Sequence, residues 1–199
     1  MSNIDIGYER GITQAIEHVV SLGHQRAAII AGPQTSRTAS NIKQALISGL
    51  KQRGLDPYPV TDSDYHLDAG ASAVQAVLSA TETPTVIFCG SDLIAMGALM
   101  ALEAAGVNVP GDISVVGIDD ISFAFLARPP LTTISVPREQ LGVISLQALD
   151  KMSKLKRQRG AEYSLETQLV IRKSTGPARQ HKLQLPGETS AVRSVKGKS

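Results

Sequence analysis

Apolar residues in this chain recur with two alternating periods, and that alternation carries most of its structural information. Short unbroken apolar runs, rich in β-branched residues, lie at 27–31, more weakly at 58–61, then at 85–88 and 113–118. Such runs read as strands covered on both faces. The first three each lead into a stretch of helical period: Ile42, Ala45, Leu46, Gly49 and Leu50; then Ala71, Val74, Val77 and Leu78; then Leu93, Met96, Leu99 and Met100. A further helix precedes the first strand, with Ile12, Ala15, Ile16, Val19 and Val20 in phase. Gly23 stands after it, where a left-handed C-cap is wanted. The repetition predicts right-handed βαβ units around a parallel sheet, an α/β fold. Ligands of such sheets sit beyond the carboxyl ends of the strands. The loops expected to carry function are therefore 32–38, 62–68, 89–92 and 119–122.

The pattern changes after Ile121. Pro129 and Pro130 exclude a helix through 123–133. A short strand is expected at 134–136, then a long amphipathic helix opened by Pro137. Leu141, Ile144, Ala148, Leu149, Met152 and Leu155 form its apolar face. A last strand is expected at 168–172. Beyond Thr175 large apolar residues become scarce, and 177–199 is expected to be disordered.

Composition narrows the class. Hydrophobic residues make up 42% and charged ones 19% of 199 residues, as in an ordinary globular protein. No apolar run is long enough for a membrane span, and the opening MSNIDIGYERG does not read as a secretory signal. One cysteine, Cys89, excludes an internal disulfide and suits a reducing cytoplasm, the expected location. The net charge of +2 is unevenly placed. From Ala178 onward five basic residues face one acid, and the other 15 basic and 17 acidic residues leave the body at −2. A body of that sign lacks the general attraction to phosphate backbone on which nonspecific DNA binding rests.

Three blocks make the chain resemble the lactose/galactose-repressor (LacI/GalR) family: LGHQRAAIIAGP (22–33) followed by Thr38 and Ala39, PTVIFCGSDLIAMGAL (84–99), and VPGDISVVGIDD (109–120) with PPLTTI (129–134), Pro137 and Gly142. They stand in the family's order and spacing over most of the chain. The resemblance implies a Rossmann-like, periplasmic-binding-protein-like lobe with a parallel sheet and an incomplete second lobe. Its expected division is a lead-in helix at 1–23, an effector-binding lobe at 24–128 plus 165–176, and a returning segment of the other lobe at 129–160. The implied function is ligand sensing in a transcriptional regulator that works as a homodimer and meets DNA only through an N-terminal helix-turn-helix. The match starts after that head, so a fragment, a truncated reading frame and a degenerate copy all remain open. A periplasmic-type sugar-binding protein is the alternative.

The resemblance also implies a site. Ser36 and Thr38 fall where loop groups meet the effector, a sugar or nucleobase-like small molecule. Tyr65 falls where a ring supports it, Asp119 where a carboxylate accepts its hydrogen bonds, and Ser91 where some members use an amide. Hydroxyls, a carboxylate and a ring suit such a ligand. Each residue also has a plainer reading. Thr38 and Ser91 suit helix N-caps, Ser36 a loop, Tyr65 surface packing, and Asp119 a turn cap. Ile42 stands where many members carry an arginine, and Asn41 and Lys43 should point roughly 100° away from it on a helix.

Other chemistry is thin. The loop AGPQTSRT lacks the dinucleotide fingerprint, and no G-x-S-x-G elbow occurs, so neither an enzyme nor a cofactor is expected. His18, His24 and His66 lack metal-ligand spacing. His24 is expected to meet a carbonyl or water at its helix end, and Cys89 to fill core. The basic residues Lys151, Lys154, Lys156, Arg157 and Arg159 are expected to solvate a helix end, with an acidic partner as the alternative. Phe123, Phe125 and Leu126 suit packing within the lobe or a dimer seam, packing being preferred. The incomplete second lobe should favour self-association.

Overall fold

The computed structural model describes residues 3–154 and 162–183. Its main body is a six-stranded sheet: β2 (Ala27–Ala31), β3 (Val60–Asp62), β4 (Val86–Cys89), β5 (Ser114–Asp119), β6 (Thr132–Ser135) and β8 (Gln168–Val170). Their spatial order is β3-β2-β4-β5-β6-β8, parallel except for β8, which runs against β6. All five residues of β2 are buried, as its unbroken apolar run requires.

Helices cover both faces. α1 (Glu9–Ser21) and α2 (Arg37–Gln52) bury Ile12, Ile16, Ile42, Leu46 and Leu50 against Ile29, Phe88 and Val116. α3 (Leu67–Leu78) and α4 (Asp92–Ala104) bury Val74, Val77, Ile94 and Leu102 against Ile30, Ile87 and Val115. Strand residues of alternating parity thus feed two separate cores, and fully burying each large apolar side chain is worth roughly 1.5–3 kcal/mol. α1 ends as its sequence implies. Gly23 takes φ +84°, its N–H donates to the Val20 carbonyl and that of His24 to Val19, a Schellman closure.

Two strands have no counterpart in the sequence-based expectation. β1 (Asn3–Gly7) and β7 (Glu162–Glu166) pair in parallel as a separate two-stranded sheet. α5 (Arg138–Lys154) accompanies it, with Ala148 buried and Leu141 and Ile144 half-buried. Leu149, expected on that inner face, is 62% exposed, alongside Val143 and Leu146.

Three boundaries differ from expectation. β3 begins at Val60, because Tyr58 is spent donating its N–H to Ala27 and exposes its side chain. Residues 132–135 were expected with the other lobe, but β6 is hydrogen-bonded along β5 and completes the large sheet. The segment 177–183, expected to be disordered, is packed: Ala178, Arg179 and Leu183 are buried. The Arg179 guanidinium donates to the carbonyls of Pro84 (3.0 Å), Thr83 (2.8 Å) and Asp112. A chain that offers few apolar residues is held there by carbonyls at the amino ends of β4 and β5. Residues 184–199, and the expected contributions of Leu155, Lys156, Arg157 and Arg159, lie outside the described residues.

Candidate functional site

In the sheet, α2 carries the chain from β2 outward to β3, whereas β4 lies on the other side of β2. The carboxyl ends of β2 and β4 therefore open between helices that leave in opposite directions, the usual place for a ligand crevice. Backbones meet closely there. The Gly90 N–H donates to the Ile30 carbonyl at 2.8 Å, and a Cβ on Gly90 would stand 2.7 Å from the Gly32 nitrogen. A Cβ on Gly32 would stand 2.6 Å from the Tyr65 ring. Two glycines thus let the loop after β2 lie under Tyr65, as close approach without a side chain permits.

A cleft of about 300 Å³ opens between β1 and the first turns of α2. Asp5 and Ile6 of β1, then Tyr8 and Glu9, form one wall; Thr38, Asn41 and Ile42 form the other. Ile42 is both core and cleft floor, being only 4% exposed. Asn41, expected to point away, reaches the rim, while Lys43 is turned aside to the Asp62 carboxylate at 2.7 Å.

Tyr8 links the cleft to the strand-end loops. Its phenol is pushed above its usual value by burial, and further by the nearby Asp119 and Tyr65. Asp119 ends β5 at φ +115°, and burial raises its carboxyl to about 7, with Asp92 adding and Arg138 opposing. The same Arg138 donates to the backbone carbonyls of Asp119 and Asp120. Asp120, at φ +54°, pairs with Arg172 at 2.6 Å.

Asp92 holds this loop from below. Fully buried, it accepts from the Thr133 hydroxyl at 2.5 Å and from the Ile121 N–H at 2.8 Å. Burial raises its carboxyl to about 6, against those two hydrogen bonds. A Cβ on Gly117 would lie 2.3 Å from its Oδ1, so β5 passes where only glycine fits.

The five residues singled out in the sequence divide accordingly. Thr38 lines the cleft; Asp119 and Tyr65 are not part of its wall, though both act electrostatically on Tyr8, and the Tyr65 ring covers Gly32. Ser36 caps α2, accepting from the Ala39 N–H at 3.2 Å, and is absent from the cleft wall. Ser91 caps α4, accepting from the Ile94 N–H at 3.2 Å, and is buried. Thr38 is not the cap of α2: the cap falls two residues earlier. Tyr8, Asn41, Asp5 and Glu9 escaped the sequence reading. The only available signal for Asp5, Tyr8 and Glu9 was DIGYERG itself, polar and aromatic side chains at the start of a helix, and nothing in that spacing shows which lobe they face.

The His24 backbone closes α1, and its side chain meets a carbonyl as expected, in a buried setting. Its Nδ1 meets the Thr85 hydroxyl at 2.9 Å and its Nε2 the Gly176 carbonyl at 3.0 Å. Cys89 is buried at the end of β4, which pushes its thiol far up. Among the described residues no group of His, Cys, Asp and Glu has metal-binding geometry, and no helix is long and apolar enough to cross a membrane.

A family model for the periplasmic binding protein-like domain matches residues 16–175. The chain belongs to that family. Within it, this periplasmic-binding-protein-like chain is 34% identical over 164 residues to the HTH-type transcriptional repressor CytR of Escherichia coli (strain K12), covering 81% of this chain and 48% of that protein. It is 32% identical over 162 residues to the ribose operon repressor of Haemophilus influenzae (strain ATCC 51907 / DSM 11121 / KW20 / Rd), covering 80% and 49%. The dimeric Lac repressor with an 11-residue C-terminal deletion superposes with a TM-score of 0.83 at 31% identity, covering 88% of this chain and 64% of that one. The chain thus spans about half the length of these curated relatives. It corresponds to the effector-binding core of LacI-type repressors. These relatives are transcriptional repressors, which favours the sensing core over a transport-type binding protein.

Proposed function

We propose that this chain senses a small-molecule effector for a LacI-type transcriptional regulator, the ligand lying in the cleft between β1 and α2. One observation carries the proposal: Tyr8 and Thr38, thirty positions apart in sequence, share that cleft, and Tyr8 lies within electrostatic reach of Asp119 and Tyr65. Thr38 and Asn41 supply hydrogen bonds, the tyrosine rings supply apolar faces, and Asp119 orients a hydroxyl or an N–H. Ser36 and Ser91 position α2 and α4 rather than touching the ligand. A sugar or nucleobase-like molecule fits this chemistry. The cleft is walled by β1 on one side and α2 on the other, so a ligand that prefers one spacing of the two sheets shifts the population between them. In the intact regulator that shift reaches DNA through the helix-turn-helix head.

Thermal denaturation of the 199-residue chain against neutral sugars and nucleosides tests this. A true effector at a hundred times its Kd should add about 2.7 kcal/mol of stability, and Tyr8→Ala should abolish the gain without lowering the unliganded urea midpoint by more than the loss of one half-buried ring. A gain that survives both Tyr8→Ala and Thr38→Val places binding elsewhere and overturns the assignment.

The partner is a second copy. Phe123, Phe125 and Leu126 are 60%, 67% and 65% exposed. That corrects the preferred reading of packing within the lobe: the short 3-10 turn at Ser122–Ala124 directs only Ala124 inward. Three large apolar side chains facing solvent on one turn suit a homodimer seam. Sedimentation velocity should show a dimer that Phe123→Ser with Phe125→Ser reduces to monomer; an unchanged dimer would place the seam elsewhere.

A further inference from the structure

Among the described residues, Asp119 and Asp120 are the two non-glycine positions of positive φ, and they are consecutive. Along an extended strand successive carbonyls point to opposite sides. Here those of Asp119 and Asp120 converge on one guanidinium, that of Arg138. An aspartate at φ +115° is strained and persists only where its surroundings hold it. The main body holds the far side of this turn: Asp92 accepts from the Ile121 N–H at 2.8 Å, and Arg172 donates to the Asp120 carboxylate at 2.6 Å. Arg138 comes from elsewhere. It is the first residue of α5, which packs against β7 of the small sheet.

The described chain passes between the two sheets three times: from β1 to α1, from β6 to α5, and from β7 to β8. Thr167 ties the first and third passages together, its N–H and hydroxyl donating to the Gly7 carbonyl at 3.1 and 3.0 Å. The second passage is tied to the end of β5 through Arg138. We propose that Arg138 is an interlobe latch and a positioning residue: it imposes the left-handed shape of 119–120 and makes the placement of the Asp119 carboxyl depend on the orientation of the small sheet. The latch rests on the sensing role above for its purpose, and adds the device by which lobe orientation reaches Asp119.

Without the guanidinium, two carbonyl dipoles lie side by side unpaired, and the turn relieves both repulsion and strain by rotating Asp119 towards water. The carboxyl then leaves the place where burial and Asp92 raise it and Arg138 opposes them. A cation that merely stands nearby and a cation that positions the turn therefore act with opposite signs. Loss of the first raises the Asp119 carboxyl, because an opposing charge has gone. Loss of the second lowers it, because burial, the larger effect, goes too. Lysine keeps the charge but cannot fork onto two carbonyls, so Arg138→Lys should lower it as well.

Carbon-detected NMR titration of the aspartate carboxyls, with Asp119→Asn to assign the signal, reads that sign in the 199-residue chain. Wild type should titrate at about 7. Arg138→Ala and Arg138→Lys should each bind the proton at least about tenfold more weakly. Nitroxide labels on the exposed positions Ser48→Cys of α2 and Ser164→Cys of β7 report the spacing of the lobes, Cys89 being buried. Pulsed electron paramagnetic resonance should show a distance distribution that broadens in Arg138→Ala. It should keep its width in Arg10→Ala, which breaks the exposed Arg10–Glu166 pair across the same boundary. A carboxyl that stays or rises on losing Arg138 overturns the proposal, as does a distribution that ignores Arg138 or broadens equally without Arg10. Neither readout involves an effector, so such a failure leaves the sensing role standing, whereas a failed effector screen removes the purpose and not the latch.

Discussion

Gly97 lies in the middle of α4, where helix propensity alone predicts that alanine would stabilise the protein by about 1 kcal/mol. The structure reverses that sign. A Cβ at Gly97 would stand 1.9 Å from the carbonyl oxygen of Leu67, 2.8 Å from its carbon and 3.0 Å from the Ala71 nitrogen. Every obstructing atom is backbone, so no side chain can swing away. Gly70 on α3 makes the reciprocal approach, its missing Cβ falling 2.3 Å from the Ile94 carbonyl oxygen. To admit one methyl group, α3 would have to retreat by more than an ångström from a helix against which it buries Val74 and Val77. Overpacking that cannot relax locally costs up to about 3 kcal/mol, so Gly97→Ala should destabilise by about 2 kcal/mol after the propensity gain is subtracted. Gly142 in α5 is the control, because nothing lies within 4 Å of its missing Cβ. Gly142→Ala should therefore stabilise by up to about 1 kcal/mol. Urea titration followed by circular dichroism measures both. If Gly97→Ala were neutral or stabilising, α3 and α4 would not be packed backbone to backbone. The placement of Tyr65 just before α3 and of Ser91 just before α4 would then lose its foundation.

Three further outcomes follow from buried polar groups. Burial lowers the pKa of His24, so its contribution is present above the ordinary value of 6.5 and is lost as pH falls through the folded-state value; the stability gap between wild type and His24→Gln, measured in urea, should narrow from pH 8 to pH 5, and a constant gap would show that folding leaves the ring at its ordinary value. The raised carboxyls of Asp92 and Asp119 act oppositely: their contribution is complete below the ordinary carboxylate value of 3.8 and lost as pH rises through about 6 and about 7. Wild type should therefore lose stability relative to Asp119→Asn between pH 5 and pH 8; a flat difference would place that carboxyl in water, and the reverse slope beside a cation. Arg179→Ala removes a charged donor from three carbonyls and should cost on the order of 2–4 kcal/mol, with faster amide exchange at Leu183; a cost near zero would mean that 177–183 does not pack.

Unbroken apolar runs fixed the parallel strands because a strand buried on both faces has no polar positions to offer, and β2 shows the limiting case. The period of α1, α2, α3 and α4 was equally readable, since each buries one stripe, and Gly23 announced its own backbone angle. Those local rules were enough to name the loops at the carboxyl edge, and of the residues they carry Thr38 lines the cleft. The same rules could not choose between neighbouring hydroxyls: Ser36, not Thr38, accepts the cap hydrogen bond of α2, which leaves Thr38 free for the cleft.

Local pattern suffices for whatever depends on one segment meeting a uniform apolar interior: element type, order and the edge that carries function. The rest depends on which distant segments meet each other. β1 and β7 are polar-rich strands separated by more than 150 residues, and neither has a pattern until the other lies beside it. Asp5, Tyr8 and Glu9 come to line a cleft with α2 only because that pairing sets the course of β1. Arg179 and His24 are buried because specific carbonyls and a hydroxyl wait for them, and a hydrogen-bond partner 95 or 152 residues away leaves no period along the chain. Hydrophobic burial is nondirectional and therefore visible in composition and spacing, whereas polar satisfaction is directional and exists only in three dimensions.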